Sequence, residues 1–400
     1  MAKKIKTRKG KDGFNYPYTS PDLVIDNTGK SVTTRFEEIE DNQLNLIEDG
    51  TTKGIKDTEY DTLTTTNKTV IGSINELSSQ FKDIAKNINP FLTDTTIKRP
   101  SFCLVLEMLP NESIENTKAQ IDKIKQFGFN QIIICVKHEL TENVWTDLCT
   151  VNNYDNIKTI IAYAKNKGIE VIALKPHINE SNSDSSWFRI TPLSTAQEWL
   201  INTYKPILLT LANICKEYNI EYLNISNELP YLTFTNYTQF LDIQQAINNI
   251  GIKTFCCLTY SEYFSNTLAN IVDVVGLNVY PHLSKNGINT SITECCKAFS
   301  SDLRGYKYLD IINSIASRIN KPLWITEIGC CRNVDALSTT EKWVFDKTEE
   351  NEKIQEIFFE SVINIFSNNT NIERVCFWSS RGAFSFLDNQ RVKQIMEGWI

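Results

Sequence analysis

Two short apolar runs, each ending in a glutamate, decide the fold: YLNISNE at residues 222–228 and PLWITE at residues 322–327. Both runs are rich in β-branched and aromatic residues, which is typical of buried parallel strands. A carboxylate at the carboxyl end of such a strand leaves the core and points into the loops above it. If both strands belong to one barrel, Glu228 and Glu327 face each other across its mouth.

Strand-like and helix-like segments alternate along the chain from about residue 101. Strands are predicted at 101–107, 131–137, 169–175, 221–226, 252–258, 274–280, 322–327 and 373–378. Helices are predicted at 114–127, 154–167, 194–218, 236–250, 262–269, 302–318, 350–366 and 388–398. Eight strand–helix units predict a (β/α)8 TIM barrel. The alternative is an open doubly wound sheet, which would need a glycine-rich phosphate loop that this sequence lacks.

Composition and charge narrow the class of protein. Of the 400 residues, 41% are hydrophobic, as in an ordinary globular protein. The formal net charge of −7 argues against a general nucleic-acid binder. No apolar run approaches 18 residues, and no apolar segment follows the basic start of the chain, so we expect neither a membrane span nor a secretory signal.

The eleven cysteines include no CxxC motif, and several lie inside apolar strand patterns, such as Cys103, Cys135, Cys256 and Cys376. Neighbours such as Cys256 and Cys257 point to opposite faces of a strand and do not pair readily. We therefore predict small buried apolar side chains made in a reducing compartment. The absence of zinc-ligand spacing argues against a zinc site.

Residues 1–95 differ from the rest, being polar and free of cysteine and tryptophan. Apolar residues at heptad spacing recur over 36–46 and 74–88. Each pattern spans about two heptads, too few for an isolated helix to be stable. The two helices either pack on the main domain or serve self-association and docking onto a larger assembly. We predict an attachment and oligomerisation segment at 1–95 and a barrel at 96–400.

The chain has only three histidines, His138, His177 and His282, and each falls just past a predicted strand. In a barrel these three loops open on the same face as the two glutamates. The sequence therefore predicts one shared polar pocket. A metal and a sugar would both use such donors and acceptors. The lack of an added carboxylate pattern favours the sugar, and we predict no metal and no cofactor.

Aromatic side chains supply the flat faces on which sugar rings stack. Trp378 ends the eighth predicted strand, Tyr280 ends the sixth, and Trp187 lies in the loop after the third. Trp324 lies inside a strand and is predicted to belong to the core. Tyr260 ends the fifth strand, and the sequence leaves both roles open for it.

The residues around the two glutamates resemble those of a known family. Asn227-Glu228 after the fourth strand and Glu327 after the seventh look like the acid/base and the nucleophile of glycoside hydrolase clan A. VIALKPH at 171–177, followed by WFR at 187–189, resembles glycoside hydrolase family 113, whose characterised members are β-mannanases. VVGLNVY at 274–280 and WITEIG at 324–329 are similar to that family's sixth and seventh strands.

The resemblance covers about residues 100–400 and implies a retaining glycoside hydrolase without a cofactor. Glu228 would be the acid/base, Glu327 the nucleophile, and Asn227 would orient the sugar's 2-hydroxyl. The remaining residues expected to bind substrate are Lys175, His177, Trp187, Tyr280, His282, Trp378 and His138. The Asn/Ser-rich third loop and Cys330-Cys331 depart from the family pattern, which leaves the substrate open. We expect glutamine at either glutamate to abolish hydrolysis and to leave the fold intact.

The start of the chain resembles something else. SPDLVID at 20–26 and TVIGSINEL at 69–77 look like segments of bacteriophage tail and baseplate proteins. This implies a virion enzyme, assembled in the host cytoplasm, that cuts host-surface polysaccharide and binds other tail proteins through residues 1–95. Homo-oligomerisation is left open. Two alternatives remain: a receptor-binding barrel that recognises glycan without cutting it, and a structural tail component.

Overall fold

A computed structural model describes residues 7–9, 15–17, 99–109, 112–140, 149–150, 153–180, 197–263, 267–345 and 349–400. The chain divides into two units, Met1–Asp94 and Thr95–Ile400. In the first unit, strands β1 (Thr7–Lys9) and β2 (Asn15–Pro17) pair antiparallel. The heptad patterns predicted at 36–46 and 74–88 lie outside the described residues.

Eight parallel strands of the second unit close into a barrel. In chain order they are β3 (Ser101–Met108), β4 (Gln131–Leu140), β6 (Glu170–Glu180), β7 (Tyr222–Asn227), β8 (Lys253–Leu258), β9 (Val274–Asn278), β10 (Leu323–Ile328) and β11 (Arg374–Phe377). Each pairs with the next, and β11 returns to pair with β3. The short β5 (Cys149–Thr150) adds antiparallel to the end of β4. The predicted TIM barrel is confirmed.

Helices surround the strands. They are α1 (Ile114–Phe127), α2 (Tyr154–Asn166), α3 (Lys205–Glu217), α4 (Pro230–Thr235), α5 (Tyr237–Ile250), α6 (Ile292–Ala298), α7 (Tyr308–Arg318), α8 (Glu352–Phe366) and α9 (Gln390–Met396). A π-helical turn, Leu200–Tyr204, leads into α3. Two 3-10 turns, Tyr260–Glu262 and Thr267–Asn270, stand where a helix was predicted at 262–269. Gly251 ends α5 with φ +98°, a conformation that favours glycine.

The barrel has two apolar layers. The larger one lies between strands and helices, and the smaller one fills the barrel interior around Phe255 and Trp324. Cys256 belongs to the outer layer and Cys257 to the inner layer, as strand alternation requires. Ten cysteines in the described part of the chain are free, and nine of these ten are buried. The predictions of apolar buried cysteines and of a core Trp324 are confirmed.

Three strands that carry candidate site residues contain a shift in pairing register. The first shift lies in β6, opposite Ile132 and Ile133 of β4. The second lies in β7 after Asn224, and the third in β10 after Ile325. In β10, Ile325 pairs with Leu277 and Glu327 with Asn278, so Thr326 is an extra residue. Such a bulge reverses the alternation of side chains. Trp324 therefore faces the interior, Ile325 and Ile328 face the helices, and Glu327 turns inward.

Among the described residues, no helix is both long and apolar enough to cross a membrane.

Candidate active site

Glu327 lies one residue before the end of β10 and is held on both carboxylate oxygens. Its side chain is largely buried, with 7% exposed. The Lys175 ammonium forms an ion pair with Oε1, and the Tyr280 hydroxyl donates to Oε2 at 2.9 Å. Two donors on one carboxylate fix its direction.

Lys175 supplies the charge that balances Glu327. It lies in β6 beyond the register shift, and its side chain is fully buried. Burial alone would lower the pKa of its ammonium, but the attraction of Glu327 outweighs burial and raises the pKa. The raised pKa keeps Lys175 charged at neutral pH, and burial leaves the pair little contact with water.

Glu228 directly follows β7, in a left-handed conformation with φ +50°. Its backbone N–H donates to Cys257 O at 2.8 Å, which continues the pairing with β8. The side-chain amide of Asn278 donates to Oε1 at 2.6 Å. Burial first, and then the charge of Glu327, raise the pKa of the Glu228 carboxyl to about 8, although part of the residue reaches solvent. The raised pKa favours the protonated form of Glu228 at neutral pH.

The environment gives the two glutamates different states. Among the described residues, Glu327 has a lysine and a tyrosine as donors, whereas Glu228 has one neutral amide and lies near a negative charge. Carboxyl groups whose surroundings differ in this way can serve as an acid and a nucleophile in one reaction. The arrangement suits acid-assisted displacement at a carbon between them.

Trp378 follows β11 and is half-buried at the mouth of the barrel. Its ring centroid lies 6.1 Å from that of His177. The Lys175 and Lys137 ammonium groups lie 5.1 Å and 5.7 Å from the same ring. The peptide bond between Trp378 and Ser379 is cis. An aromatic face near the Lys175–Glu327 pair is suited to stacking on a sugar ring.

Asn227 precedes Glu228 and is almost completely buried, with 2% exposed. Neither its side-chain oxygen nor its nitrogen has a hydrogen-bond partner among the described residues. Buried amides are normally hydrogen-bonded, so these two atoms suit a ligand hydroxyl.

The histidine pocket predicted from the sequence is not formed. His177 lies against Trp378, whereas the His282 ring is 2.7 Å from Glu341 Oε1. His138 is fully buried, and burial lowers its pKa to about 4. Because side chains alternate along β4, His138 points towards the helices when its neighbour Lys137 points to the interior. A histidine that follows a strand by one residue can face either side, which the spacing alone did not distinguish.

The sequence analysis missed two further residues at this end of the barrel, Glu107 and Lys137. Glu107 of β3 forms a 2.5 Å ion pair with Lys137 of β4 and accepts a 2.5 Å hydrogen bond from Ser379. The signal was present, because Glu107 and Lys137 end their predicted strands as Glu327 does.

Trp187 lies outside the described residues. Among those described, no group of three His, Cys, Asp or Glu side chains could hold a metal ion.

The barrel and its two differently held carboxyl groups define the class as a glycosidase-like (β/α)8 barrel. The model of Glycoside Hydrolase Family 113 matches residues 112–390, which is more than half of the chain. The chain belongs to glycoside hydrolase family 113 and is a glycoside hydrolase.

Solved structures agree on the fold. A GH113 β-mannanase from Alicyclobacillus acidocaldarius is 12% identical, with a TM-score of 0.60 over 75% of this chain and 96% of that one. A GH113 β-1,4-mannanase in complex form is 13% identical, with a TM-score of 0.58 over 74% of this chain and 96% of that one. A comparison with curated protein sequences gave no match.

Proposed function

We propose that the barrel is a retaining glycoside hydrolase that cuts polysaccharide on the surface of a bacterial host. The observation that carries the proposal is the contrast between Glu228, which accepts from the neutral amide of Asn278, and Glu327, which forms an ion pair with Lys175. A retaining enzyme needs one carboxyl group as a proton donor and a second as a nucleophile.

In the first step the Glu228 proton moves to the glycosidic oxygen while a Glu327 oxygen attacks the anomeric carbon. The bond to the leaving sugar breaks, and an ester to Glu327 forms. Lys175 and Tyr280 hold the attacking carboxylate in place. In the second step Glu228 takes a proton from water, and the water oxygen replaces Glu327 at the anomeric carbon.

The structure offers a reason for the change of role at Glu228. The negative charge of Glu327 is the second cause of the raised pKa of Glu228. That charge disappears when Glu327 becomes an ester, so the pKa of Glu228 falls and its carboxylate can act as the base. The same charge returns when the ester is hydrolysed.

Exposed aromatic surface at the mouth supports a polymeric substrate. Trp343 is 51% exposed in the loop after β10. The Thr340 hydroxyl donates to Pro281 O at 3.0 Å, and Glu341 contacts His282 at 2.7 Å, so this loop is fixed beside the segment that carries Tyr280. Because the similar solved structures are named β-mannanases, β-1,4-mannan is the first glycan to test.

The decisive experiment measures the release of reducing ends from host-wall glycans and from β-mannan. We expect wild type to release them and Glu228→Gln and Glu327→Gln to release none. Glu397→Gln, at an exposed position near the chain end, is the matched control and should behave as wild type. The configuration of the first product, followed by NMR, must be retained. Binding without release by wild type would instead support a receptor-binding barrel.

We propose further that residues 1–95 attach the enzyme to a phage tail and that the mature protein is part of the virion. The support is the likeness of the segments at 20–26 and 69–77 to tail and baseplate proteins. Deleting residues 1–95 should leave an active monomer that no longer enters particles. Normal incorporation of the shortened protein would exclude this attachment.

A further inference from the structure

Asn278, the last residue of β9, is fixed at three of its polar atoms. Its Nδ2 donates to Glu228 Oε1 at 2.6 Å, and its Oδ1 accepts from the Thr326 hydroxyl at 2.8 Å. Its backbone oxygen accepts from the Tyr263 hydroxyl at 2.5 Å. Asn278 is 3% exposed and Thr326 is fully buried, so water has little access to the bond that joins them.

Thr326 decides which end of the Asn278 amide meets Glu228. A hydroxyl that donates to Oδ1 leaves only Nδ2 to face the carboxyl group. Thr326 is the extra residue of the β10 bulge, and its close approach to β9 depends on a glycine. A Cβ at Gly276 would lie 2.4 Å from Thr326 Cγ2 and 2.2 Å from Cys256 O. The Thr326 hydroxyl, the bulge in β10 and Gly276 in β9 therefore act together to orient the Asn278 amide.

We infer that Asn278, oriented by Thr326, is a positioning residue that keeps the Glu228 proton on Oε2. The reason is that Oε1 already accepts an N–H, and a proton on Oε1 would face another donor. The proton then lies on the oxygen that Asn278 does not contact, where a glycosidic oxygen can receive it. This inference rests on the proposed role of Glu228 as the acid.

Two substitutions at position 326 separate the hydroxyl from the shape of the side chain. Thr326→Val keeps the shape but removes the donor, so the Asn278 amide can turn its oxygen towards Glu228 and accept the proton there. Thr326→Ser keeps the donor. We expect Thr326→Val and Asn278→Ala to lose about tenfold in kcat/KM, the effect of one hydrogen bond, and Thr326→Ser to stay near wild type.

The dependence on the leaving group distinguishes a positioning role from a loss of stability. Phenyl β-mannobioside needs protonation of its leaving oxygen, whereas 2,4-dinitrophenyl β-mannobioside does not. The Thr326→Val variant should therefore have a lowered kcat/KM only on the phenyl substrate. The control is Thr254→Val, which removes a buried hydroxyl bonded to Asp273 at 2.9 Å. It should lower Tm without changing the ratio of the two rates.

A second measurement needs no substrate. Loss of the Asn278 donor should raise the pH at which the Tm difference between the protein and the same variant carrying Glu228→Gln stops growing. If Thr326→Val keeps both the wild-type rate ratio and the wild-type pH, the inference is wrong. If Glu228→Gln itself shows no dependence on the leaving group, the proposed acid is wrong instead. The two failures are thus distinguishable.

Discussion

Replacement of Lys175 by methionine tests the buried ion pair at the centre of the site. Lys175 is fully buried and the Glu327 side chain is 7% exposed, so the variant leaves a carboxylate without its cation inside the barrel. Loss of one partner of a buried pair costs about 3–5 kcal/mol of unfolding free energy. For a domain of this size the Tm should fall by about 6–10 °C.

Glu327→Gln leaves the opposite charge unpaired, so it should also lower Tm. The sequence-based expectation that glutamine at either glutamate leaves the fold intact stays a prediction. The burial of Glu327 adds the expectation of a lower Tm at that position, whereas Glu228 is partly exposed. The double variant Lys175→Met/Glu327→Gln removes both charges. It should melt above each single variant, because replacing a whole buried pair by neutral groups costs less than breaking it.

The assay is thermal unfolding of wild type, both single variants and the double variant in one buffer, with hydrolysis measured on the same samples. All three variants should be inactive, since each changes the nucleophile or its cation. Strictly additive losses of Tm in the double variant would show that the two charges do not interact. A Lys175→Met protein with wild-type Tm and turnover would refute the reasoning altogether.

Three more outcomes follow from the surroundings of other residues. The folded protein holds the Glu228 proton up to about pH 8, against an ordinary pKa of 4.5, so wild-type stability falls as the pH rises through this window. Glu228→Gln should gain Tm relative to wild type across it, and a constant difference would contradict the shift. Trp378→Ala should raise KM and slow turnover, whereas a purely structural tryptophan would change only Tm. Trp343→Ala should weaken hydrolysis of long glycans and spare short aryl glycosides; equal losses on both would exclude a role in polymer binding.

The sequence predicted the barrel because strand and helix periods are local properties of the chain. It also predicted which glutamates end strands, and it placed Trp324 and the cysteines in the core. The ion pair between Lys175 and Glu327 could not be predicted, since it joins residues 152 positions apart. His138 was misplaced because proximity to a strand end does not define the face to which a side chain points. Asn278 and Thr326 act through each other, and no spacing in the sequence reports such a contact.

The bulge at Thr326 shifts the inward and outward alternation of β10 by one residue. Side chains before Thr326 and side chains after it follow opposite alternations along the sequence. Even-numbered Trp324 faces the interior before the bulge, and odd-numbered Glu327 faces it after the bulge. If the same residues formed a regular strand without the bulge, Thr326 would take the inward place and Glu327 would turn towards the helices. The pairing register of the strand is therefore as strict a requirement here as residue identity. A transfer of this site to another barrel must carry the bulge together with the glutamate.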